Sequence, residues 1–177
     1  MSKTSILIVR ITCAIIFCCF FMSFFVVSCA GESVSISGME ASFGIDKNNL
    51  ELNAYPIILL IPLVALFVLA VLTIPTVQNK FEGIKSPIKI INIYGFITSA
   101  GGLTGLILLA IVNSIAIAEV KEQGSGLLNY RTGFGFKMSV FAFLVMLAIP
   151  FFDIYAMPYV KKYFEKNQNQ QPPPNSE

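Results

Sequence analysis

Residues 90–118, IINIYGFITSAGGLTGLILLAIVNSIAIA, decide the fold, because this run of 29 residues holds no charge and yet carries four glycines. At about 1.5 Å of rise per residue, a helix of this length crosses a hydrocarbon layer of about 30 Å. A helix that faces lipid gains nothing from glycine, whereas closely packed helices do, because small residues let two backbones come into contact. The stretch therefore predicts a transmembrane helix that other helices approach closely.

The composition of the whole chain indicates a membrane protein. Of its 177 residues, 55% are hydrophobic and 12% are charged, and the mean hydropathy is +0.76. Soluble domains are about 25% charged, so this supply of charge does not cover a water-facing surface. The formal net charge of +2 predicts no nucleic-acid partner. We therefore expect an all-α integral membrane protein whose first partner is the lipid bilayer.

Four apolar segments predict four transmembrane helices, at about residues 8–29, 54–77, 89–118 and 137–160. Together they make a four-helix membrane domain over residues 1–162. Residues 163–177, rich in Gln, Asn and Pro, predict a disordered cytoplasmic tail. The outer connections, residues 30–53 and 119–136, are expected to form a small extracytoplasmic cap.

The first outer connection has two interpretations. Residues 33–37 and 50–53 alternate polar and apolar side chains, as half-buried strands do, and residues 46–49, DKNN, have the composition of a turn. These features predict a β-hairpin that rests on the bundle or on a partner, because a hairpin alone in water is marginal. An irregular loop is the alternative.

The first apolar segment also has two interpretations, which depend on Cys29. Residues 26–30, VVSCA, resemble a bacterial lipobox, in which the cysteine is lipidated and becomes the new N-terminus. The charge-free run over residues 11–31 is longer than the roughly 7–15 apolar residues of a signal peptide, which favours a retained helix. The remaining cysteines are predicted to be plain apolar side chains: Cys13, Cys18 and Cys19.

Small residues predict where the helices pack. In the third segment they recur on a 3.5-residue repeat, the period of left-handed helix packing, and they include a GxxxG pair. In the fourth segment two small residues recur at helical spacing. The predicted packing residues are Gly95, Ser99, Gly101, Gly102, Gly105, Gly135 and Ser139. These residues have two interpretations: all of them pack within the chain, or one glycine face packs within the chain and the other against another subunit.

Few polar groups fall within the apolar segments. Asp153 is either a carboxylate at the inner interface, paired with a lysine, or part of a polar node with Asn92 or Tyr94 at the same depth. Asn113, towards the outer end of the third segment, is predicted to tie helices together or to contribute such a polar group.

The chain offers no constellation for catalysis. It has no histidine, no GxSxG and no HExxH, so the usual general base and the commonest metal ligand are missing. We therefore expect no catalytic residues, no metal and no cofactor, and hence a protein that is not an enzyme.

The distribution of Lys and Arg predicts the orientation. Eight of these residues lie at the two termini and in the middle connection, whereas four lie in the outer connections. This bias predicts a multi-pass protein of the cell membrane with both termini in the cytoplasm.

Four spans, a larger first outer loop with strands and a smaller second loop resemble the layout of claudin-like and tetraspan membrane proteins. The chain has no tryptophan and no cysteine after Cys29, so it lacks the Trp-Gly-Leu-Trp and paired-cysteine motifs of those outer loops, and no functional residue carries over. We expect a non-enzymatic, partner-binding or structural subunit of a membrane complex, with other subunits or a second copy as partners. The alternative is a small oligomeric channel or transporter component.

Overall fold

The structure is a computed structural model that describes residues 3–29, 32–47, 50–73, 87–124 and 128–155. Its elements follow in the order α1 Lys3–Phe20, β1 Ser23–Cys29, β2 Glu32–Ser37, α2 Gly38–Phe43, β3 Ile45–Lys47, β4 Leu50–Leu52, a 3-10 turn Pro56–Leu59, α3 Leu60–Thr73, α4 Pro87–Gly124, β5 Leu128–Thr132 and α5 Phe134–Tyr155. The predicted tail, residues 163–177, lies outside the described residues, as do residues 74–77 and 156–160 of two predicted helices.

The four long helices form an antiparallel bundle in which α1 and α4 each pack between α3 and α5. Its centre is filled by apolar side chains that are at most 1% exposed and come from all four helices: Ile16, Ile61, Val68, Leu109, Phe143 and Met146. The outer surface of the bundle is apolar as well, with Phe67 66%, Phe96 75% and Phe141 62% exposed. Such a surface is suited to lipid rather than to water.

Within the described residues, three helical segments are long and apolar enough to cross a membrane: Pro56–Thr73, Ile93–Glu122 and Phe134–Asp153. A fourth apolar helix, Thr4–Phe20, is shorter. The structure is therefore mostly helical, consistent with the predicted all-α membrane protein, and it contains a small three-stranded sheet in addition to a two-stranded hairpin.

The prediction of a helix over residues 8–29 is wrong in its second half. The helix ends at Phe20, and Ser23–Cys29 form the central strand of a three-stranded antiparallel sheet in the order β2-β1-β5. The chain turns where Phe21 N and Met22 N donate hydrogen bonds to the carbonyls of Cys18 and Cys19, each at 3.1 Å. The strand is rich in aromatic and β-branched residues, which favour a pleated surface that is covered on both edges.

A bulge in β1 explains how two successive phenylalanines are both buried. Ser23 pairs with Ser37 but Phe25 pairs with Ile36, so Phe24 is the extra residue. Phe24 is therefore 0% exposed towards the bundle, where its ring lies 5.6 Å from that of Phe136, while Phe25 is 5% exposed beneath the sheet. The bulge thus joins the core of the bundle to the core of the cap.

The rest of the first outer connection is ordered too. The alternating residues 33–37 do form a strand, but their partner is β1 rather than residues 50–53. Residues 50–52 instead pair with Ile45–Lys47, so Asp46 and Lys47 of the predicted DKNN turn belong to strand β3. Between the two hairpins, α2 begins with a capping box, in which Ser37 Oγ accepts from Glu40 N and Glu40 Oε2 accepts from Ser37 N.

Helix α4 is longer than predicted at its outer end. It ends at Gly124 rather than near residue 118, so part of the expected outer loop is helical. Its 38 residues span about 57 Å, which exceeds a hydrocarbon layer of about 30 Å. The last turns of α4 therefore stand above the bundle and form one wall of the cap.

Candidate functional site

The cap forms a partly open, mainly apolar cavity of about 40 Å³ between the sheet and the outer end of α4. Its walls come from the three strands of the sheet, α2, the segment over residues 53–58 and α4. Because residues two apart on a strand share a face, Phe25 and Val27 both point into it from β1. The remaining apolar walls are contributed by β2, α2, the 3-10 turn and α4: Ile36, Ala41, Ile57, Ile58, Val112, Ile115, Ala116 and Val120.

Four residues with polar side-chain groups also line this cavity: Asn53, Tyr55, Glu119 and Tyr130. Asn53 Nδ2 donates a hydrogen bond of 3.0 Å to Glu119 Oε1, which ties the segment before the 3-10 turn to α4. Tyr130 also lines the cavity, and its hydroxyl donates a 2.8 Å hydrogen bond to Asn113 Oδ1. We refer to the Asn53–Glu119 pair as the mouth of the cavity, since Asn53 is exposed.

Burial raises the pKa of Tyr130 to about 12, because the phenolate would lose hydration in this apolar setting. The folded cap therefore favours the protonated phenol of Tyr130. The contribution of this group to the free energy of unfolding is complete below the unfolded pKa of about 10, and it is lost as the pH rises towards the folded pKa of about 12. We expect the ultraviolet difference spectrum of wild type minus Tyr130→Phe to titrate near pH 12. A midpoint near 10 would show that the cap does not cover this ring.

The opposite face of the sheet is polar. Ser33 and Ser35 on β2, and Asn129 and Arg131 on β5, are exposed, whereas the alternate residues turn towards the cavity. Ser35 and Arg131 lie on either side of β1, because Val26 opposes both of them. The cap therefore presents a face on which hydroxyl, amide and guanidinium groups flank the half-buried Val26.

The predicted packing glycines all contact other parts of the same chain. A Cβ added at Gly101 would lie 2.5 Å from Val68 Cγ2 of α3, and one at Gly105 would lie 2.2 Å from Phe143 Cε1 of α5. At Gly102 it would lie 2.9 Å from the backbone nitrogen of Leu147. The two glycines of the GxxxG pair thus serve two different neighbouring helices, and this face of α4 is covered within the chain.

The other predicted packing positions also lie inside the bundle. A Cβ at Gly135 would lie 2.5 Å from the carbonyl oxygen of Cys19 on α1, and one at Gly95 would lie 3.4 Å from Pro150 Cβ. Ser139 is 0% exposed and donates to its own helix at Gly135 O, over 2.8 Å. Ser99 is half-buried.

Gly133 was not predicted as a packing residue, yet it has little space around it. Its N–H donates to Phe24 O at 2.8 Å, and an added Cβ would lie 2.3 Å from Ser23 O. The position is the junction of β5 with α5, and here the strand pair β1–β5 passes directly into the helix pair α1–α5.

Two of the predicted polar residues, Asp153 and Asn113, have different partners. Asp153 Oδ1 accepts a 2.6 Å hydrogen bond from Ser5 Oγ at the start of α1, whereas Asn113 contacts Tyr130 at the other end of the bundle. The side chain of Asn92 lies outside the described part of the chain. The hydrogen bond with Ser5 shows that the side chain of Asp153 faces α1. The two residues lie at the same end of the bundle because α1 and α5 run antiparallel.

Asp153→Asn should lower the free energy of unfolding by about 1–2 kcal/mol, because a hydrogen bond to a charged group becomes a neutral one. Asp153 has further interactions, so the pair with Ser5 is isolated by a double-mutant cycle with Ser5→Ala. We expect a coupling energy of about 1 kcal/mol in detergent unfolding. Strict additivity of the two losses would contradict the contact.

Arg10 lies within α1, and its side chain reaches the end of α3. Its Nη2 donates a hydrogen bond to the carbonyl of Leu72, one of the last residues of α3. A cation at a helix C-terminus satisfies an orphan carbonyl and favours the negative end of the dipole. Arg10 therefore joins α1 to α3, although its guanidinium Nε is buried without a hydrogen-bond partner.

A second concave surface lies on the outside of the bundle, between α3 and α4. This groove has a volume of about 400 Å³, and its walls include Phe67 and Phe96, with Gly101 and Thr104 along it. Its walls are almost wholly apolar and it opens sideways, towards the position of lipid around a membrane-embedded bundle.

Cys29 is the last residue of β1, where its backbone pairs with Glu32 and Leu128. If the chain were processed as a lipoprotein with Cys29 as its N-terminus, it would lose α1 and most of β1, together with all the α1 contacts of the bundle.

No family model, no curated protein and no solved structure matches the chain. The function is therefore argued from the residues and their geometry.

Proposed function

We propose that the chain is a four-span protein of the cell membrane, with both termini in the cytoplasm and the cap outside. Three membrane-length apolar helices support the first part of this proposal. The 18 residues of α1 give about 27 Å, close to the hydrocarbon thickness, and α1 packs along α3 and α5 for its length. The excess of Lys and Arg at the termini and in the middle connection supports the orientation.

We further propose that the protein is a non-enzymatic membrane subunit whose cap binds a protein partner. The observation that carries this proposal is the sheet itself, in which the first and second outer connections are joined and held on the bundle by Phe24 and Gly133. Its exposed polar face is thereby held rigid, and rigid presentation lowers the entropic cost of binding. The glycine face, in contrast, is already covered within the chain.

Site-specific photocrosslinking in intact cells tests this assignment. A photoreactive side chain at Ser35 or Asn129, on the outer face of the sheet, should give a discrete crosslinked protein. The same side chain at Phe141, which is 62% exposed on the bundle, serves as the matched control and should give mainly lipid adducts. Arg131→Glu should weaken the crosslink at Ser35, because it reverses the one charge on that face. Equal products from cap and bundle positions would refute a partner at the cap.

The alternative, an oligomeric channel or transporter component, has a specific structural requirement. The interior of one bundle is packed with side chains that are at most 1% exposed, so a pore would lie between copies rather than within one. Solute-specific flux in liposomes that contain the purified protein would support this alternative. Co-purification of a partner without flux supports the subunit.

A further inference from the structure

We infer that Arg10 binds the phosphate of an anionic phospholipid in the cytoplasmic leaflet, at the inner end of the contact between α1 and α3. The inference goes beyond partner binding at the cap, but it rests on the proposed membrane placement. It begins with a charge that the described part of the chain does not neutralise. A guanidinium keeps its positive charge in proteins, and among the described residues no carboxylate forms an ion pair with that of Arg10.

The guanidinium of Arg10 also has more donors than the described structure has acceptors for it. A guanidinium has five N–H groups, and one of them, on Nη2, is used by the carbonyl of Leu72. Nε is enclosed by protein without a partner, whereas the residue as a whole is half-buried. Unsatisfied N–H groups of a charged side chain are costly in an apolar setting. Acceptors placed against the open side of the guanidinium would therefore stabilise it.

The end of α3 compensates only part of this charge. The carbonyls at the C-terminus of a helix carry about −0.5 elementary charge, against +1 on a guanidinium, so about half of the positive charge is left for another anion. The carboxylate at this end of the bundle, that of Asp153, accepts a hydrogen bond from Ser5 on α1. An anion from outside the chain would satisfy both the remaining charge and the remaining donors of Arg10.

The depth of Arg10 matches that of lipid head groups. It lies seven residues after Lys3, the first residue of α1, so its backbone is about 10 Å from the end of the helix. Side chains on a helix lean towards its N-terminus, which in the proposed orientation carries the guanidinium back towards the cytoplasmic interface. Its bond to Leu72, the residue before the last one of α3, places it at the same level.

The surroundings of Arg10 favour a lipid over a free anion. On the same face of α1, three residues before it and four residues after it, Leu7 is 55% exposed and Ala14 is also exposed. Both side chains are apolar, so this side of Arg10 opens towards hydrocarbon. A phospholipid meets both requirements, because its phosphate accepts hydrogen bonds from the planar guanidinium while its chains cover the apolar side chains. Basic sites between helices on the cytoplasmic side suit anionic head groups for this reason.

Native mass spectrometry of the full chain, released from detergent micelles, tests the site. The protein is mixed with equal amounts of phosphatidylglycerol, which is anionic, and phosphatidylcholine, which has the same chains and no net charge. Wild type should retain phosphatidylglycerol in preference, and an excess of inorganic phosphate should not displace it. Displacement by inorganic phosphate would indicate a site for a free anion and overturn the lipid assignment. Equal retention of the two lipids would refute the site.

Arg10→Gln should lower the preference for phosphatidylglycerol about tenfold, as expected when a hydrogen bond between two charged groups is lost. Arg131→Gln is the matched control, because Arg131 is the other arginine of the chain and is exposed on the outer face of the cap. It removes the same charge and should leave the preference unchanged. Equal losses in the two variants would mean that the preference follows net charge alone, which contradicts the site.

Leu7→Glu tests the site with Arg10 in place, in case Arg10→Gln does not fold. The new carboxylate lies three residues before Arg10 on the same face and gives the guanidinium a counter-ion within the chain, while the bond to Leu72 is kept. The preference for phosphatidylglycerol should fall severalfold. Leu7→Gln, of the same size and without the charge, should not change it. No difference between these two variants would overturn the inference.

The lipid site and the cap fail separately. Photocrosslinking at Ser35 reports on the cap and does not depend on Arg10, which lies at the other end of the bundle. A discrete Ser35 crosslink in a protein without a preference for phosphatidylglycerol would refute the lipid site and leave the partner-binding proposal standing. A preference that is lost in Arg10→Gln and kept in Arg131→Gln supports the lipid site, whatever the crosslink at Ser35 shows.

Discussion

Alanine at Phe24 should lower the free energy of unfolding by about 3–5 kcal/mol. The ring is 0% exposed and lies within 6.4 Å of the rings of Phe20, Phe25 and Phe136, so its loss leaves a void where the cap meets the bundle. The loss should appear in chemical unfolding in mild detergent. Because the sheet rests on this ring, protease cleavage in the cap should also become faster before the helices unfold.

Phe21→Ala is the matched control for this variant. Phe21 is 52% exposed and three residues away from Phe24, and it contacts only Phe17 and Phe20 among the described rings. We expect a loss below about 1 kcal/mol, since an exposed ring keeps lipid or detergent contact in both states. Similar losses for the two variants would mean that the segment over residues 23–29 does not join the cap to the bundle as a strand.

The second large effect is expected at Gly105. Gly105→Ala should lower the free energy of unfolding by about 2 kcal/mol, although alanine is favoured over glycine in a helix by about 1 kcal/mol. The new methyl group would lie 2.2 Å from the ring of Phe143, which is 0% exposed and has no free space to move into. Overpacking therefore outweighs the gain in helix propensity.

Two further variants separate overpacking from a general effect of the substitution. Gly95→Ala makes the same change on the same helix, but its Cβ lies at an ordinary 3.4 Å from Pro150, so we expect a neutral or slightly stabilising effect. In Gly105→Ala with Phe143→Leu, the smaller side chain should recover about 1 kcal/mol relative to the sum of the single losses. Additive losses would contradict the close contact between these residues.

Hydropathy predicted the bundle because its spans are separated by charges, but it had no means of finding where α1 ends. Residues 11–31 are charge-free throughout, so apolar helix and apolar strand look alike over this run. The available signal was local: the run over residues 23–29 is rich in β-branched and aromatic residues and is followed by the alternating residues 33–37. A hairpin between these neighbours needs only a two-residue turn.

The same limit applies to pairing and to the cavity. The spacing of Gly101, Gly102 and Gly105 indicated a close approach, but periodicity along one helix does not name the helix opposite. The partners, Val68 on α3 and Phe143 on α5, follow from the antiparallel arrangement. The residues that line the cavity come from segments up to about a hundred residues apart, so no local sequence pattern predicts it. Arg10 was missed for a related reason, because its partner is a backbone carbonyl.

The pairing of β1 with β5 has a consequence for biosynthesis. These strands are separated by more than 90 residues, and β5 is followed within two residues by α5. In the proposed orientation, the first strand therefore reaches the outer side long before the strand that covers its second edge has been made. Until β5 pairs with it, that edge of β1 is open to pairing with a chaperone or with a neighbouring chain.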